Sequence, residues 1–140
     1  MIIESIFNDL DQKYNLQDTA TEIIVSGVSA GGIGMYINID YIKHRYPNAR
    51  VTGVSIAGFY YYATYYDGDN ATEPSSMADF RKQGVENMYN LYGPAYVDES
   101  CLTSSSMSSS CMFANYSFPY IDADLYAIQA QSDRVVLTGE

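Results

Sequence analysis

Basic side chains are scarce in these 140 residues: seven Lys and Arg stand against seventeen Asp and Glu, a formal net charge of −10. That balance speaks against nucleic acid as a partner, because phosphates are gripped by Lys and Arg, and no basic patch interleaved with aromatics occurs. An acidic surface also repels a negatively charged polysaccharide. Long apolar runs are missing too, none approaching the ~18 residues needed to span a bilayer, so no transmembrane segment is visible. Histidine is reduced to His44 and cysteine to Cys101 and Cys111. No metal site or cofactor is expected, and no internal repeat occurs.

What is present is a strand running into a glycine-flanked serine. Gly27-Val28-Ser29-Ala30-Gly31-Gly32 follows the apolar run Ile23-Ile24-Val25, the arrangement of a nucleophile elbow, in which a strand turns sharply into a helix around an exposed serine. Such a turn is strained and crowded, so side chains at Gly27 and Gly31 are expected to collide with the neighbouring strand and helix. The bland alternative is a glycine-rich turn that merely packs closely. Downstream, Ile33, Ile37, Tyr41 and Ile42, with Met35 and Ile39 between, predict a helix buried on much of its circumference.

The remaining pattern alternates helix and strand. An amphipathic helix is expected over 2–14, strands over 22–26 and 51–55, helices over 30–45 and 77–92, and a third strand over 124–130. Between the second strand and the next helix lies a Tyr-rich connection at a strand's carboxyl end, where open α/β sheets place ligands. Phe59, Tyr60 and Tyr61 are candidates for a substrate wall, by stacking on sugars or lining an acyl pocket, with packing as the alternative. A doubly wound sheet of five or six strands needs more than about 150 residues. The chain is therefore expected to be the middle of a larger domain, truncated at both ends, with a small self-contained domain as the alternative on size alone.

A serine hydroxyl needs a base, usually a histidine oriented by a carboxylate. His44 lies fifteen residues after Ser29 on one expected helix, hence about 22 Å away along its axis, too far to serve. In the triad order serine, acid, histidine the acid follows a later strand, which selects Asp133; Asp122 and Asp124 precede that strand, at the wrong end of the sheet. The histidine is then expected after residue 140. Ala30 N–H is the candidate oxyanion donor, and the second donor is expected before Met1. These 140 residues alone are expected to be inactive.

Cys101 and Cys111 bracket a Ser-rich loop that a disulfide would close, two free thiols being the alternative. Asn70-Ala71-Thr72 and Asn115-Tyr116-Ser117 are glycosylation sequons, about one of which is expected by chance. Cysteines and sequons together point to a secreted, extracellular protein.

In this order, the features resemble the pectin acetylesterase and Notum family of carboxylesterases. The elbow Gly27, Ser29, Ala30, Gly31, Gly32 is similar to the family's Gly-x-Ser-Ala-Gly-Gly, and Asn38 and Asp40 resemble positions on its next helix. Ile56-Ala57-Gly58-Phe59 stands where the family has Asp-Ala-Gly-Phe or Asp-Ser-Gly-Trp, so Ile56 replaces an aspartate. Cys101, Cys111-Met112-Phe113 and Gln131-Ser132-Asp133 resemble the family's cysteine pair and its strand-then-aspartate. The resemblance implies a partial α/β-hydrolase fold, a mostly parallel sheet flanked by helices, with residues 1–140 as the central part of one incomplete esterase domain. It also implies Ser29 as nucleophile and Asp133 as acid, with the histidine and the tryptophan-bearing oxyanion loop elsewhere. The expected function is a carboxylic ester hydrolase acting on a polysaccharide acetyl ester or an acylated protein. A divergent, non-catalytic binding or structural module is the competing reading.

Overall fold

The computed structural model describes residues 2–60, 76–93, 97–104, 108–131 and 133. Three strands, β1 (Glu22–Val28), β2 (Arg50–Ile56) and β3 (Asp124–Ile128), form a parallel sheet in the order β1-β2-β3. Pairing Glu22 with Arg50 and Val28 with Ile56, then Thr52 with Asp124 and Ile56 with Ile128, brings all three carboxyl ends to one edge. The loops carrying the candidate site residues therefore leave the sheet on the same side.

Strand alternation decides which face is dry. Val51 and Ser55 of β2 are buried, and Ile23, Val25 and Leu125 pack with them beneath the helix Ala30–Arg45 (α3). From α3 come Met35, Tyr36, Ile39 and Ile42, all nearly inaccessible. Their three- and four-residue spacing makes a stripe rather than the broad burial expected: Ile33 and Ile37 are half-buried and Tyr41 is exposed. On the opposite face Ile24, Val28, Tyr126 and Ile128 are exposed.

The first helix, α1 (Ile2–Tyr14), buries no residue fully but rests on the end of α3. Phe7 meets Tyr46 edge to face at 5.6 Å, and Asp11 accepts hydrogen bonds from Tyr46 OH at 2.8 Å and from Arg45 Nε at 3.1 Å. A single turn, α2 (Leu16–Thr19), then leads to β1. After β2 come α4 (Ser76–Tyr92) and α5 (Glu99–Ser104). The helix α4 closes at Gly93, whose φ of 78° suits a helix-ending glycine.

Where a Ser-rich loop was expected between the cysteines, the described residues are helical: α5 runs past Cys101 to Ser104 and a tight turn spans Ser108–Met112, after which comes α6 (Ala114–Ser117). Cys101 and Cys111 are bonded, with Cα atoms 5.9 Å apart. Both are fully buried. The strand β3 ends at Ile128, two residues earlier than expected. Its entry is fixed by Asp40 of α3, a buried carboxylate accepting the N–H groups of Asp122 at 3.0 Å and Ala123 at 3.0 Å. Asp122 is held below the usual carboxylate range by the Lys43 hydrogen bond first and the Lys43 charge second.

Among the described residues no helix is long and apolar enough to cross a membrane, and no cluster of three His, Cys, Asp or Glu is placed to hold a metal.

Candidate active site

The site begins where β1 hands the chain to α3. Ser29 has φ 54° and ψ −120°, a left-handed backbone that a non-glycine residue adopts only under constraint, costing about 1–3 kcal/mol. The constraint is visible: Ser29 N–H donates to Ile56 O at 2.9 Å, and Ser29 O accepts Gly32 N–H at 2.8 Å. One end of the turn is tied to β2 and the other to the first turn of α3. Ala57 repeats the pattern one strand over, with φ 50° and its N–H on Ile128 O at 2.7 Å. The three strand ends are thus laced together by hydrogen bonds that continue beyond the regular sheet.

Glycine is required here at unequal positions. A Cβ at Gly27 would lie 2.0 Å from Gly31 O. At Gly32 it would lie 2.7 Å from Ser55 Oγ and 2.8 Å from Gly58 Cα, and Gly58 meets Gly32 in return. Helix and β2 loop therefore touch backbone to backbone beneath Ser29. Gly31 departs from the expectation: a Cβ there meets nothing within 4 Å among the described residues. The collision belongs to Gly27, and its partner is the Gly31 carbonyl, not a Gly31 side chain.

Ser29 is exposed, and its Oγ lies 3.1 Å from Tyr60 OH. Tyr60 is anchored by its backbone, its N–H on Gly58 O at 3.0 Å and its O accepting Ala114 N–H at 2.8 Å. Phe59 turns its ring toward the core, edge to face with Tyr36 at 6.1 Å and Phe118 at 6.3 Å, which is the packing alternative for that residue. Tyr61 and Asn70 lie outside the described residues. Asn115 is exposed on α6.

Asp133 stands past the carboxyl end of β3, on the same sheet edge as Ser29. Its Oδ2 accepts Gln129 Nε2–H at 2.7 Å, and Gln129 Oε1 accepts Phe59 N–H at 3.0 Å. Gln129 therefore couples the loop that bears Asp133 to the loop that bears Tyr60. Nothing local in the sequence marks Gln129, since a four-residue spacing pairs side chains on a helix and not past a strand end. Asp124 is at the other end of β3, where its Oδ2 accepts Arg50 Nε–H at 3.0 Å.

Ala30 opens α3, so its N–H has no acceptor within the helix and is open to an anion. His44 sits near the far end of the same unbroken helix, about 22 Å from Ser29 along the axis. It lines a cleft of about 670 Å³ in which Asp40, Asp98 and Ser100 stand among apolar side chains such as Val97 and Leu102, and a second, apolar cavity of about 610 Å³ is lined by Ile3, Ile37, Met88 and Met112. Neither is lined by Ser29 or Asp133. Beneath the elbow, the hydroxyls of Tyr36 and Ser55 are both buried, and neither makes a hydrogen bond of regular geometry among the described residues. Burial raises the Tyr36 phenol above its ordinary range, and the nearby Ser55 hydroxyl offsets part of that rise.

This chain matches a family described as Pectinacetylesterase over residues 1–140. No curated protein matches it. Among solved structures it is similar to the Wnt deacylase Notum from Drosophila, at 24% identity and a TM-score of 0.67 over 90% of this chain. The chain spans 36% of that Notum chain. The likeness establishes a mixed α/β architecture of the α/β-hydrolase type.

Proposed function

Since this chain belongs to the pectinacetylesterase family, we propose that the full-length protein is a serine-dependent carboxylic ester hydrolase. The observation that carries the reading is the strained, exposed Ser29 at the carboxyl edge of a parallel sheet, with Asp133 on that edge.

Ser29 Oγ attacks the acyl carbon of an ester, and its proton passes to a histidine contributed from outside residues 1–140. Asp133 orients that histidine, with Gln129 fixing the carboxylate. The Ala30 N–H, free at the start of α3, stabilises the oxyanion together with a donor from outside these residues, such a donor being worth about 10²–10³ in rate. The alcohol leaves, and water activated by the same histidine releases the acid. Acylated polysaccharide and acylated protein are both substrates of the right chemistry, with Tyr60 forming part of the wall beside Ser29. The disulfide and the exposed sequon at Asn115 support an extracellular setting.

Ile56 favours a second reading. It is 36% exposed at the carboxyl end of β2, on the sheet face it shares with Val28 and Ile128, where the resemblance would place an aspartate, and a divergent binding module would tolerate that loss. Hydrolysis of p-nitrophenyl acetate by the full-length protein separates the two. Activity that falls by about 10⁴-fold or more in Ser29→Ala supports the enzyme. Absent hydrolysis, or hydrolysis unaltered by that substitution, contradicts it.

A further inference from the structure

Resting on the reading of Ser29 as nucleophile, we propose that Tyr60 is a further catalytic residue, whose phenol donates a hydrogen bond to Ser29 Oγ and assists departure of the serine during deacylation. The phenol oxygen lies 3.1 Å from Oγ, the atom that forms and breaks the acyl bond. Its position is held from several sides. Tyr60 O accepts Ala114 N–H at 2.8 Å, from a helix that begins three residues after the bridged Cys111. Phe59 is fixed by Gln129 and by its contacts with Tyr36 and Phe118. The phenol thus reaches the nucleophile from an anchored backbone.

Either hydroxyl could donate in isolation, but the chemistry selects the phenol. The Ser29 proton must face the base that removes it, whereas Oγ has two lone pairs, one free to accept from Tyr60 while the other attacks. In acylation the Oγ–C bond forms and the serine proton goes to the histidine, which passes it to the leaving alcohol. In deacylation water adds to the acyl carbon and yields its proton to the histidine. The C–Oγ bond then breaks, its electron pair returns to Oγ, and the histidinium supplies the proton. Tyr60 keeps its own proton throughout. Oγ is a weak acceptor while esterified and a strong one as charge builds on it, so this hydrogen bond is stronger in the transition state than in the acyl-enzyme. During acylation it occupies a lone pair and gives no such advantage.

The test is the full-length protein with p-nitrophenyl acetate, whose good leaving group makes deacylation limiting. For Tyr60→Phe, kcat is expected to fall on the order of tenfold with KM falling in proportion, leaving kcat/KM within about threefold and the initial burst near one p-nitrophenolate per enzyme. A purely structural role would instead lower kcat/KM and burst amplitude together, and that result overturns the proposal. An unchanged kcat overturns it as well. Ser29→Ala, run alongside, isolates the underlying reading: if it retains burst and turnover, Ser29 is not the nucleophile. If it is inert while Tyr60→Phe behaves as wild type, only the role of Tyr60 fails.

Discussion

Replacing Gly27 by alanine adds one methyl group at the tightest point of the elbow. The new Cβ would lie 2.0 Å from Gly31 O, 2.2 Å from Gly31 C and 2.7 Å from Gly32 N, where Cβ contacts under 3.0 Å essentially never occur. All three atoms are backbone in the first turn of α3, so no side chain can swing aside. Gly27 is not at a positive φ, so the penalty comes from crowding rather than from lost conformational freedom. Relief requires β1 and the start of α3 to separate by about 1 Å, on the scale of overpacking that costs about 1–3 kcal/mol. The same shift displaces Ser29, and a misplacement of about 1 Å at a reacting atom lowers rates by about 10²-fold. Gly31→Ala is the internal comparison: with nothing within 4 Å among the described residues, and with alanine the better helix former, it should change stability by less than about 1 kcal/mol. Urea unfolding and ester hydrolysis of both variants read the two effects. A Gly27→Ala protein with wild-type midpoint and wild-type kcat/KM would refute the crowding argument.

Two further outcomes follow from features away from the elbow. The disulfide closes a loop with a sequence separation of 10, for which chain entropy gives about 2.7 kcal/mol; the double variant Cys101→Ser, Cys111→Ser should unfold at lower urea, and an unchanged midpoint contradicts this. Asp122, held below its ordinary value of 3.8 by Lys43, contributes stability that is complete above that value and is lost as pH falls through the lowered folded-state pKa. Lys43→Met should return the carboxyl to its ordinary range in an NMR titration, and identical titrations in the two proteins would rule out the Lys43 contact as the cause.

Long periodic segments were legible because burial imposes their spacing. The run Ile2 to Tyr14, the strands around Ile24 and Val54, and the helix from Ala30 to Arg45 emerged within two residues of their observed bounds. Placing His44 far from Ser29 needed only helix arithmetic. The short helices α2, α5 and α6, of four to six residues, span too few turns to show a period, and the serines near Cys111 read as loop. The elbow was visible as a motif, yet which glycine is crowded depends on the approach of Gly31 O to Gly27 and of Gly58 to Gly32, three-dimensional facts without a local signature. The same holds for the left-handed Ala57, for the bridge through Gln129, and for the meeting of Tyr60 with Ser29. The aromatic cluster announced a wall but not its hydrogen-bond partner. Asp40 resembles a family position, but its bonds to Asp122 and Ala123 cross more than eighty positions of sequence and leave no local trace.

The central claim is that Ser29 is an activated nucleophile, and covalent labelling of the full-length protein with a fluorophosphonate tests it most directly. The account predicts one adduct, mapped by peptide mass spectrometry to Ser29 and abolished in Ser29→Ala. Labelling that persists unchanged in Ser29→Ala, or an adduct on another residue, would contradict it.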